Sequence, residues 1–168
     1  LANRSALLNG VSDRVRFHVG DILVLPAPAV PYDHVMANPP YLAPDAAQPP
    51  KDPARATAMI EGDAGLADWV EAGLRSLRPG GTLSFVHRAD RVDEILTALA
   101  NRAGGVGIIE FLTKGDGRPA KRAIVQATKG AGGGDSVRKT MLLHGDNGDF
   151  TAEADAVLRD AGALAISS

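Results

Sequence analysis

The sequence predicts an α/β fold on a mostly parallel sheet with one reversed strand. Three observations predict it. Apolar runs of strand length alternate with segments whose apolar residues recur at helical spacing. The last two strand-like runs, Val106 to Leu112 and Lys121 to Lys129, are joined only by the turn-rich stretch Lys114 to Pro119, which suits an antiparallel pair. The 168 residues are 45% apolar and 23% charged, proportions that suit a single domain over 1–168 with one core. Aromatic residues make up only 4%, so that core is aliphatic and alanine-rich.

The elements follow in order. Leu1 to Asn9 reads as the end of a helix, closed by Gly10 in a left-handed cap. Val15 to Val19 alternates apolar and polar residues and reads as a short strand, with Gly20-Asp21 at its end. Tyr32 to Ala37 is the next strand. Nine of the 11 prolines fall between Pro26 and Pro53, so this stretch is mostly irregular. Leu66, Trp69, Val70, Gly73, Leu74 and Leu77 mark one face of a helix that Pro79-Gly80-Gly81 stops. Thr82 to His87 is a strand. Asp90 caps a helix with Val92, Ile95, Leu96 and Leu99 on one face. After the closing strand pair, residues 130–135 read as a flexible glycine-rich loop. Thr151 caps a last short helix with Ala154, Val157, Leu158 and Ala161 facing inward.

Composition excludes several classes of function. There is no cysteine, hence no disulfide, thiol catalysis or cysteine-based zinc site. The four histidines show no metal-ligand spacing, and no metal is expected. No apolar stretch reaches membrane-spanning length and no signal peptide precedes the first strand, so a cytoplasmic protein without membrane contact is the expectation. Net charge is −2, but between Thr113 and Lys139 seven basic residues face two acidic ones, a local +5. Such a region can dock phosphates, or it can be the guarded edge of a sheet.

Asn38-Pro39-Pro40-Tyr41, at the end of the Tyr32 to Ala37 run, carries the most chemistry. The prolines remove two backbone donors, fix φ, and keep Asn38 out of the helical region. Asn38 then offers a side-chain carbonyl beside main-chain carbonyls without competing N–H groups. Both hydrogens of an amide or exocyclic amine can be accepted there, in front of a methyl donor, while Tyr41 supplies a flat face for stacking. A polyproline ligand and a plain loop are the blander readings.

These residues resemble the later two-thirds of a class I S-adenosylmethionine-dependent methyltransferase. The resemblance runs through Asn9-Gly10, Arg14-Val15-Arg16-Phe17, Gly20-Asp21, Asn38-Pro39-Pro40-Tyr41, Leu77-Arg78-Pro79-Gly80-Gly81-Thr82 and the closing strand pair. Within that superfamily the chain is most similar to the bacterial enzymes that methylate N6 of an adenine beside the anticodon of a valine tRNA. Phe85 to Arg91, Arg122 to Lys129 and the tail Leu142 to Gly148 with Phe150 to Ala154 carry this closer similarity.

The resemblance implies a Rossmann-like methyltransferase sheet with an antiparallel C-terminal strand pair. It implies S-adenosyl-L-methionine as cofactor and tRNA as partner. Asn38, Pro39, Pro40 and Tyr41 are then the catalytic motif. Asp21, Ile22 and Asn38 contact the cofactor, and Tyr41, Arg118, Lys121 and Arg122 contact the substrate. A turn cap is the alternative role for Asp21. The family's first two strands and its Gly-rich turn do not precede Leu1, so an N-terminally incomplete domain that by itself binds cofactor weakly or not at all, and is poorly active, is expected. The motif also suits N5-methylation of a glutamine in a protein such as a release factor. A truncated, catalytically silent domain that binds RNA or a partner is the reading of another class.

Overall fold

The computed structural model describes residues 1–41, 62–134 and 136–166. In chain order the elements are α1 (Ala2–Leu8), β1 (Tyr32–Ala37), α2 (Leu66–Ser76), β2 (Leu77–Arg88), a 3-10 turn (Ala89–Arg91), α3 (Val92–Leu99), β3 (Ala103–Leu112), β4 (Arg122–Lys129), β5 (Val137–Leu142) and α4 (Ala152–Leu158). Among the described residues the strands form one five-stranded sheet in the order β1-β2-β4-β3-β5. β1 pairs parallel with β2, and β3 with β5. β4 runs antiparallel to both of its neighbours, β2 and β3. The reversed strand expected from the sequence is therefore present, beside Val106–Leu112 as its spacing implied.

Alternation along the strands divides the core in two. Leu83 and Phe85 of β2, Val125 of β4 and Ile108 of β3 pack under Leu66, Val70 and Leu74 of α2 and Val92, Ile95 and Leu99 of α3. Ile109, one residue on, points to the other face and packs with Met141 of β5 and Ala154 of α4. Helices thus cover both faces of the sheet. α1 ends in a Schellman motif: Val11 N–H bonds the Ala6 carbonyl, Gly10 N–H bonds that of Leu7, and Gly10 has φ +64°. Thr151 caps α4 by accepting from Ala154 N–H at 3.1 Å, and its hydroxyl donates to the Leu142 carbonyl at 2.7 Å, tying the helix to the end of β5.

Five expectations need correction. Asp90 does not cap a helix: α3 starts after Arg91 without a side-chain cap bond, and the Asp90 carboxylate is taken by Arg88. Val15 to Val19 is not a strand; it is an exposed, irregular segment after a turn. Alternation alone does not make a strand where no neighbour supplies ladder hydrogen bonds. α2 ends at Ser76, and Leu77 is already extended, so β2 begins before Pro79-Gly80-Gly81 rather than after it. The register between β1 and β2 shifts there to absorb the extra residues. Val137–Leu142 is a strand that the charged sequence did not suggest. In α4, Ala154 is buried and Val157 packs beside it, but Leu158 is 59% exposed and Ala161 lies beyond the helix.

Candidate active site

Parallel pairing of β1 with β2 sets their C-terminal ends at one sheet edge, and the antiparallel β4 brings its N-terminus there too. The edge therefore collects Asn38 to Tyr41, His87 to Asp90, and the 113–121 connection with Arg122. Asn38 is exposed, Pro39 is fully buried, and Pro40 and Tyr41 are half-buried. His87, 1% exposed, brings Nε2 to 3.4 Å from the Pro40 carbonyl, and that oxygen can only accept. The His87 and Tyr41 rings meet edge to face, with centroids 6.3 Å apart and planes at 80°. From the other side the Arg122 guanidinium stands 4.5 Å from the Tyr41 ring centroid, in cation–π contact.

Pro40 also lines a cavity of about 440 Å³, together with Gly20, Asp21, Ile22, Asp63 and Trp69. The segment before β1 is fixed in place by its own turn and by α2. Asp21 Oδ1 accepts from Leu23 N–H at 2.9 Å, and Arg75 donates to the Leu25 carbonyl at 2.8 Å. Asp21 is thus a turn residue and a cavity wall at once. Asn38 is not part of that wall. Trp69, read from the sequence as a core residue, is half-buried at the cavity. Its indole N–H is buried without a hydrogen-bond partner among the described residues.

On the other side of Tyr41 is a cleft of about 430 Å³ lined by Arg88, Asp90, Arg118, Pro119, Lys121 and Arg122. The Arg88 side chain bonds Asp90, Nε to Oδ1 at 2.9 Å, which holds the Asp90 carboxyl below its ordinary range and the guanidinium above its own. Arg118 does the same to Asp116 at 2.8 Å. Lys121 and Arg122 are exposed. The basic stretch 113–139 is not one patch. Lys129 is at the opposite end of β4, where it donates to the Leu77 carbonyl at 2.6 Å, and Arg138 bonds Glu110 at 2.6 Å. Sequence reasoning missed His87 and Asp63, and their spacing carried no signal. Arg88 stood in the quoted Phe85 to Arg91 segment without a role, and Asp90 was read there only as a helix cap.

The chain is 35% identical over 131 residues to a tRNA1(Val) (adenine(37)-N6)-methyltransferase of Aeromonas salmonicida, an alignment covering 69% of this chain and 54% of that protein. It is 40% identical over 73 residues to the enzyme of the same description from Aeromonas hydrophila subsp. hydrophila, covering 44% of this chain and 30% of that one. The crystal structure of a predicted O-methyltransferase from Agrobacterium tumefaciens superposes with a TM-score of 0.70 at 25% identity, covering 97% of this chain and 73% of its own. In sequence and fold the chain is similar to the class I S-adenosylmethionine-dependent methyltransferases. Its mixed sheet is their Rossmann-like sheet, and the motif edge is the C-terminal edge at which ligands of open α/β sheets bind. The chain spans about half the length of the first curated relative. No family model matches it. Among its described residues no helix is long and apolar enough to cross a membrane, and no cluster of His, Asp or Glu is placed to hold a metal ion.

Proposed function

We propose that this methyltransferase transfers the methyl group of S-adenosyl-L-methionine to the exocyclic N6 of an adenine in tRNA. One observation carries the reading: the Asn38 to Tyr41 motif stands between the two cavities. Pro40 walls the one with Asp21, and Tyr41 is covered by Arg122 of the basic one. The names of the two Aeromonas relatives agree with it. The first cavity is of ligand size, and a carboxylate amid Ile22 and Trp69 suits an adenosine. Bound there, S-adenosyl-L-methionine supplies a methyl carbon on a sulfonium.

Asp21 accepts from the cofactor's adenine amine, and Ile22 N–H donates to the same ring. Asn38 accepts from the target amine with its side-chain carbonyl, which favours a pyramidal nitrogen and offsets the charge developing on it. Tyr41 stacks against the target base, turned out of its own stack. Arg118, Lys121 and Arg122 hold phosphates. Their cleft beside the motif favours RNA over a glutamine amide of a protein. The test is tRNA treated with the protein and labelled S-adenosyl-L-methionine, then digested to nucleosides. N6-methyladenosine is the expected product; label on a glutamine-bearing release-factor substrate, with none on tRNA, overturns the reading.

A further inference from the structure

We propose that His87 is a positioning residue that anchors the Asn38-Pro39-Pro40-Tyr41 motif to the sheet, an inference that rests on the methyl-transfer reading above. Pro39 and Pro40 have no N–H to give, so their backbone can be fastened only through its carbonyls, by a donor from elsewhere. His87 is such a donor. It is the penultimate residue of β2, 1% exposed, and paired in register with Ala123 of β4, whose methyl leaves room for an imidazole. Its Nε2 is 3.4 Å from the Pro40 carbonyl, an oxygen that can only accept, so the anchor requires the proton on that nitrogen. The same ring makes the edge-to-face contact with Tyr41, centroids 6.3 Å apart. One buried side chain thereby fixes both the carbonyl and the aromatic ring at the end of the motif. The exposed Asn38 side chain is left as an acceptor for the target amine. Its aim depends on the anchor, and misplacement by about 1 Å costs on the order of a hundredfold in rate.

The test has two arms. Nitrogen-15 NMR of the free protein, with the His87 signals assigned by their loss in His87→Gln, reads the proton on Nε2 directly. A protonated Nε2 with Tyr41 ring signals displaced in His87→Leu is expected, and a bare Nε2 overturns the proposal. In the second arm, His87→Leu lowers kcat on tRNA by about 10- to 100-fold with the affinities for S-adenosyl-L-methionine and tRNA unchanged. His87→Gln, which keeps an amide donor, regains part of the loss. Equal losses in both variants, matched by equal falls in melting temperature, overturn positioning in favour of a purely structural histidine. If the unaltered protein methylates no RNA, the functional reading fails while the NMR arm still decides the anchor.

Discussion

Tyr41 has a guanidinium on its face and an imidazole packed at 80° to its plane, so its platform is already half-built before any base arrives. The division of labour among single residues follows from that crowding. Asn38 is exposed and outside the cavity wall, and the proposed mechanism gives it the transition state alone. Asn38→Ala is expected to remove about 2–4 kcal/mol of transition-state stabilisation, by analogy with a lost oxyanion donor. Cofactor affinity should scarcely change. Steady-state kinetics on tRNA beside calorimetry with S-adenosyl-L-methionine separates the two, and unchanged turnover would remove Asn38 from the mechanism. Arg118→Glu with Arg122→Glu should weaken RNA binding and flatten its salt dependence. Each lost phosphate contact lowers the log–log slope by about 0.7–0.9. A fluorescence titration at several salt concentrations reads the slope, and an unaltered one would make these residues a guarded sheet edge.

At the scale of elements, the glycine-rich stretch after β4 is shaped by what it packs on. A Cβ at Gly104 of β3 would overlap the carbonyl of Gly132, so strand and loop approach too closely for any side chain. Gly104→Val should therefore destabilise the fold by about 1–3 kcal/mol, measured by denaturant unfolding. An unchanged midpoint would show that the loop yields freely. The same scale explains what was legible in the sequence. α2 and α3 were, because Leu66, Val70, Leu74 and Val92, Ile95, Leu99 repeat at the helical period and all face the core. The β3–β4 pair was, because a short turn joins two β-rich runs. β5 was not: of Val137 to Leu142 only Met141 is buried, and a strand held by ladder bonds rather than by a buried face leaves no apolar alternation. Val15 to Val19 failed for the converse reason, an alternation with no partner. Within the site, the Asn38 motif and Asp21 were legible as local patterns. His87 was not, since its burial and its reach to Pro40 arise from pairings 36 and 47 residues away in sequence.

For the molecule as a whole, acid is the condition to which its ion pairs respond. Arg78, Arg88 and Arg118 hold Asp33, Asp90 and Asp116 below the ordinary carboxylate value of 3.8. A carboxyl depressed in the folded state contributes stability that is fully present above its unfolded value and is lost as pH falls through the folded one. Stability from these pairs should therefore be level from neutrality to about pH 4 and decline only below it. The loss should be shallow, because the pairs are exposed and weak in water. Denaturant midpoints across that range check it, and a steep decline beginning above about pH 5 would assign acid sensitivity to other groups. The strand order has a temporal consequence as well. β1 with β2 and β3 with β5 are two parallel pairs, and among the described residues β4 is what joins them. During synthesis β2 and β3 are made before their common partner exists. Until Lys129 is made, β2 and β3 each wait with an unfilled ladder and an apolar face, the condition in which nascent chains aggregate. The seam of the sheet closes late, and a chain whose synthesis stops short of Arg122 has β2 and β3 without the strand that joins them.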